Sequence, residues 1–195
     1  MINDDITGII FIDCWDIPEL DFWYQRLSQH LNQFTRIQSM VVANYGIPLD
    51  SINNTSLRNS LKRYNHQQYR PEVLLPIIKN AGLLQQSSPY ITSRYNKTAF
   101  ALYDVPGFLI HTSGQDLRNW LVVGGGWKVC AHMRELGFVE LQHIPDYNFY
   151  ITPWSIHRAV DDNFNTEPLS DSDMVDDQVE WESIKDFGWR LKHKL

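Results

Sequence analysis

The sequence predicts an α/β fold of three layers (α/β/α) around an open, mainly parallel sheet, and three observations predict it. The run Gly8 to Cys14, GIIFIDC, is continuously apolar, rich in β-branched residues and nearly closed by a carboxylate, Asp13; a strand buried on both faces reads this way. Trp120 to Val123 is a second such run and empties into three glycines, Gly124 to Gly126. Between and after them, short apolar runs alternate with stretches of helical spacing, the pattern of parallel strands joined by crossover helices.

After the first strand, Pro18 and Glu19 open a helix with Leu20, Trp23, Leu27, Leu31 and Phe34 on one side. Met40 to Ala43 is a second short strand. Asn44 to Asn54, with Gly46, Pro48 and several asparagines, is a loop. Leu57 to Tyr64 and Pro71 to Ala81 have helical spacing, the latter closed by Gly82. Thr98 to Val105 reads as a third strand ended by Pro106 and Gly107, and Phe108 to Thr112 is a shorter apolar run of no definite type. Trp120 to Val123 leads into a helix over Trp127 to Leu136. Phe138 to Ile144 and Phe149 to Thr152 read as two more strands. The α/β domain spans 1–160. Residues 161–195 form an acidic loop and a short helix around Trp181 to Leu191; Trp181, Phe187 and Trp189 predict that this tail packs on its own domain or on a neighbouring subunit.

Of the chain's 195 residues, 43% are hydrophobic and 13% aromatic, a globular composition long enough for a core. The net charge of −6 is unevenly placed. Asp161, Asp162, Glu167, Asp171, Asp173, Asp176, Asp177, Glu180 and Glu182 fall in one segment that holds no Lys or Arg, whereas Lys185, Arg190, Lys192 and Lys194 follow it. No basic face points to nucleic acid, and no apolar run reaches membrane-spanning length. The N-terminus, MINDDITG, lacks the basic and apolar regions of a signal peptide. Two cysteines, Cys14 and Cys130, make no disulfide framework, so a reducing cytoplasm with both thiols free is the expectation.

Chemistry concentrates at the ends of the two principal strands. Ligands of open α/β sheets bind beyond the carboxyl ends of the strands, and a parallel sheet brings Asp13 and the Gly124–Gly126 turn to one rim. Cys130 opens the helix after that turn. Unpaired N–H groups at a helix start stabilise a thiolate, which predicts a lowered pKa and a nucleophile. Gly125 and Gly126 would let a substrate approach the backbone, with Trp15 and Trp127 as aromatic walls. Asp16 reads as a helix cap and Cys14 as core. None of the seven histidines has metal-ligand spacing to another ligand.

Three segments in this order, IIFIDCWD (Ile9 to Asp16), SRYNKTAF (Ser93 to Phe100) and LVVGGGWKVC (Leu121 to Cys130), resemble the isochorismatase-like cysteine hydrolases, which include nicotinamidases and N-carbamoylsarcosine amidases. The resemblance implies a Rossmann-like fold, a homo-oligomer, a small-molecule substrate and a catalytic set of Asp, Lys and Cys. Carried over by position, Asp13 is the base and Cys130 the nucleophile, with backbone N–H groups near the cysteine as the oxyanion hole. The cation is Lys97 or Arg94. Lys97 lies three residues before Phe100, where the family's lysine precedes that Phe by five or six; Arg94 is nearer that spot but cannot transfer a proton. Nicotinamidases carry a metal-binding Asp-x-His after the second strand. The corresponding ANYGIPLD (Ala43 to Asp50) has no His, so neither a metal nor another cofactor is expected. Two alternatives stand beside this reading. One is a non-catalytic relative, a binding or assembly module with a degenerate triad. The other is a haloacid-dehalogenase-type phosphatase, which needs a second Asp two residues after the first, where this chain has Trp15.

Overall fold

The computed structural model describes residues 2–14, 20–43, 99–101, 104–161 and 165–194, with the backbone alone at 99–101. They form a mixed α/β fold on one seven-stranded sheet. The strands are β1 (Gly8–Ile12), β2 (Ser39–Ala43), β3 (Ala99–Ala101), β4 (Asn119–Gly124), β5 (Asn148–Ile151), β6 (Trp181–Ile184) and β7 (Gly188–Leu191). Their order is β3-β2-β1-β4-β5-β7-β6. The first five are mutually parallel, and β6 and β7 add an antiparallel hairpin to β5. The helices are α1 (Asp21–Leu31), α2 (Val105–Thr112), α3 (Cys130–Met133) and α4 (Phe138–Leu141).

The apolar runs behave as their composition dictates. Every residue of β1 and β2 is buried, and β4 is buried from Trp120 onward. Each large side chain so buried contributes about 1.5–3 kcal/mol. Along β5 successive side chains face opposite ways. Phe149 meets Phe108 of α2 at 5.9 Å, which also meets Trp120 at 4.9 Å. Tyr150 meets Phe187 at 5.8 Å, and Phe187 meets Phe34, just beyond α1, at 6.1 Å.

The chain winds from β1 out through β2 to β3, then returns to the other side of β1 as β4. That reversal makes the carboxyl ends of β1 and β4 a topological switch point. Ile12 registers with Gly124 across it, so Asp13 and Gly125 leave the sheet side by side.

Several elements differ from the sequence expectation. Phe138 to Ile144 is not a strand: Phe138 and Leu141, three apart, are buried while Glu140 is exposed, and the segment makes α4. The helix expected over Trp127 to Leu136 shrinks to Cys130–Met133, because Arg134 leaves it in extended geometry (ψ 161°). Val105 belongs to α2, not to a strand: Asp104 caps that helix by accepting from the Gly107 N–H at 2.7 Å, and Pro106 sits in its first turn. Trp181 to Leu191 is a hairpin, not a helix, with Trp189 and Leu191 inward and Arg190 between them. The expectations for Asn44 to Asn54, Leu57 to Tyr64 and Pro71 to Ala81 lie outside the described residues.

Candidate functional site

Gly125 sits between Asp13 and Cys130. A Cβ built on it would lie 3.2 Å from the Cβ of each and 3.3 Å from the Asp13 carbonyl, so only glycine lets the two side chains flank one backbone position this closely. The Gly125 N–H donates to the Ile12 carbonyl at 2.7 Å, which pins the turn to the end of β1. Gly124 is tighter still, its added Cβ falling 2.2 Å from the Ile12 oxygen. Gly126 is different: its Cβ would find only Val129, at 3.7 Å. The Gly126 amide lies near the Cys130 sulfur and favours its ionised form.

The thiol of Cys130 lies against the Asp13 carboxylate, and a third group completes the cluster. Arg134 Nε donates to Asp13 Oδ2 at 2.9 Å, and the same guanidinium reaches the Cys130 sulfur. The Asp13 side chain is 1% exposed and that of Arg134 is 24% exposed, so the pair is shielded at the carboxylate and open at the cation. Asp13 is held with φ 49°, a left-handed conformation that Asp tolerates better than most residues. Lys128, in the turn before the cysteine, has φ 60°. Non-glycine residues in this region carry local strain.

These contacts set the thiol's chemistry, and they correct the expected lowering of its pKa. Burial pushes the Cys130 thiol well above its ordinary value, and the negative charge of Asp13 pushes the same way; Arg134 and the Gly126 amide oppose them without prevailing. A helix of one turn supplies too little dipole to reverse that balance. Cys130 is therefore a neutral thiol at rest beside a carboxylate. Burial also works against the charge of Arg134, but Asp13 and Cys130 outweigh it and raise the guanidinium further.

The remaining residues singled out in the sequence fall in different places. Trp127 does not stand free as a wall. Its ring joins His132 at 5.4 Å, Phe138 at 5.9 Å and Trp181 at 6.0 Å, and its backbone N–H donates to the His157 carbonyl at 2.8 Å. Cys14 is fully buried beneath the site, with its sulfur toward the Ile12 and Val123 carbonyls. Trp15, Arg94 and Lys97 lie outside the described residues. Sequence reasoning missed Arg134. No sequence signal marks it, because the chain leaves α3 in extended geometry at Arg134 itself.

Among the described residues no group of three or more His, Cys, Asp or Glu is gathered as a metal site, and no helix is long and apolar enough to cross a membrane. A recess of about 140 Å³ lies between the acidic segment and the chain's end, with Asp177, Glu180, Lys192 and His193 in its lining; it has charges of both signs and no nucleophile. The chain matches no protein-family model, no curated protein and no solved structure.

Proposed function

We propose that this protein is a cysteine-dependent hydrolase of a small amide-type or related substrate, with Cys130 as nucleophile and Asp13 as its base. The observation that carries the reading is the placement of the Cys130 thiol against the Asp13 carboxylate, on either side of Gly125 at the switch point of the sheet. A thiol held neutral against a carboxylate suits general-base catalysis, in which the proton moves as the sulfur attacks. The sulfur bonds to the carbonyl carbon and its proton passes to Asp13. Asp13 returns that proton to the departing amine as the C–N bond breaks, leaving a thioester. Water, deprotonated by Asp13, then attacks the thioester carbon; the C–S bond breaks, the acid leaves, and Asp13 returns the proton to the Cys130 sulfur.

Arg134 would hold charge and geometry in this scheme without shuttling a proton, since guanidinium does not deprotonate in proteins. Lys97 and Arg94 remain the family-position cations. Amides of the turn would meet the developing oxyanion. Those of Trp127, Val129 and Ala131 donate to the His157 and Gly126 carbonyls, so the task would fall to Lys128 and Cys130. A three-layer, isochorismatase-like arrangement is supported by β5, whose neighbouring residues Phe149 and Tyr150 lead to α2 and, through Phe187, to Phe34 near α1. The same reading makes the protein cytoplasmic and homo-oligomeric.

The second reading, a non-catalytic binding or assembly relative, is favoured by the ion pair of Asp13 with Arg134 and by the raised thiol pKa. Turnover separates the two. With a panel of small amides and coupled detection of released ammonia or amine, hydrolysis should fall by about 10²–10⁴-fold in Asp13→Asn and disappear in Cys130→Ser. No consumption of any amide favours the non-catalytic reading, and turnover that survives Cys130→Ser removes Cys130 as the nucleophile.

A further inference from the structure

The acidic segment keeps most of its carboxylates in solvent, Asp171, Asp177 and Glu180 among them, but the Asp176 side chain is only 7% exposed. A carboxylate this buried is costly unless it is paired. Its Oδ1 accepts the N–H of Gln178 at 2.8 Å and of Val179 at 3.3 Å, so the segment itself fixes the group's orientation. Its Oδ2 points back to the site. There it lies 3.2 Å from His132 Nε2, close but off the line of a well-aligned hydrogen bond, and 3.7 Å from Lys128 Nζ. The Lys128 ammonium also donates to the Val175 carbonyl at 3.2 Å. Lys128 and His132 stand two residues before and two after Cys130. His132 is confined between the Trp127 and Phe138 rings, and Lys128 holds a left-handed φ that needs support from outside.

We propose that Asp176 is a positioning residue for Cys130: its carboxylate clasps both flanks of the cysteine turn and so holds the thiol against Asp13. This deepens the hydrolase reading and rests on it. Burial works against the charge of Asp176, but the backbone amides and His132 outweigh it and keep the carboxyl below its usual range, which suits a clasp that stays ionised at neutral pH. The segment after residue 160 thus becomes part of the machinery and not a solvated appendage.

The test is peptide-resolved alkylation by iodoacetamide, with fully buried Cys14 as the internal reference. In Asp176→Asn, Cys130 should label about tenfold faster, the equivalent of one lost charge-assisted hydrogen bond, while Cys14 stays unchanged. In that background the change in the Cys130 pH profile caused by Asp13→Asn should shrink, because the thiol no longer rests on Asp13. Unchanged Cys130 labelling overturns the proposal, and so does an Asp13→Asn effect that persists in full. Should Asp13→Asn have no effect even with Asp176 intact, the nucleophile reading fails by itself, and the Asp176→Asn rate alone decides the clasp. If Asp176→Asn loses its near-ultraviolet circular dichroism, Lys128→Gln decides in its place. Lys128 is half-exposed, and Cys130 labelling should then rise by about threefold, half of that interaction, with no rise overturning the clasp.

Discussion

At the scale of single residues the site is a matter of what fits beside Gly125. An alanine there must push Asp13 and Cys130 apart by a few tenths of an ångström, since its Cβ would sit 3.2 Å from both. Gly125→Ala should cost about 1–3 kcal/mol, the usual range for overpacking, and should separate the thiol from its carboxylate. Gly126→Ala meets only ordinary contact with Val129 and should stay within about 0.5 kcal/mol of wild type, as surface changes do. Denaturant midpoints of the two variants check the contrast; equal costs would mean that the glycine run is simply a flexible turn. The three glycines are conspicuous in the sequence, yet their different roles are not, because those depend on which strand end lies opposite each one. Asp13 and Cys130 could be read because both close or follow a long apolar run. Arg134 could not, because its role depends on the chain leaving α3 in extended geometry immediately after one turn.

At the scale of elements the hairpin β6–β7 is tied to the site through rings. Trp181 packs on Phe138 at 4.9 Å and on Trp127 at 6.0 Å, yet its Nε1, like that of Trp127, is buried without a hydrogen-bond partner among the described residues. An unsatisfied buried donor costs about 1–3 kcal/mol. Trp181→Phe should therefore be close to neutral, the lost volume offset by the lost orphan, whereas Trp181→Ala should cost about 3 kcal/mol. Thermal midpoints decide it, and a large loss in Trp181→Phe would mean that the indole N–H has a partner. The parallel strands were legible in the sequence because a strand buried on both faces is apolar throughout, as β1, β2 and β4 are. The hairpin was less legible: Phe187, Trp189 and Leu191 alternate as in a strand, while Phe187 and Leu191 taken as a pair also have helical spacing. What decides between them is the left-handed turn at Asp186 (φ 59°) and pairing with β5, a long-range partner. For the same reason Phe138 to Ile144 misled, since a short apolar run has no period until its neighbours bury one face of it.

At the scale of the whole molecule, stability should be confined to a window of pH. Burial lowers His30 from 6.5 to about 4. A group depressed by folding stabilises above its unfolded value and loses that contribution as pH falls, so stability should decline between pH 6.5 and about 4. His30→Gln should flatten that limb. Burial first, and then the charge of Asp13, raises both Cys14 and Cys130 above their ordinary value of 9.0. Groups raised by folding stabilise below the unfolded value, so stability should fall again as pH climbs past about 9. Chemical denaturation from pH 4 to 10 reads both limbs, and a His30→Gln profile that keeps the acid limb would contradict the assignment. Proton transfer from Cys130 to Asp13 is tested by the alkylation rate of Cys130 against pH in the wild type and in Asp13→Asn. Labelling should be slow at neutral pH and accelerate only in alkali, and that acceleration should move to lower pH when the carboxylate's charge is removed. Superimposable profiles would show that Asp13 and Cys130 do not share that proton, and the hydrolase reading would fall with them.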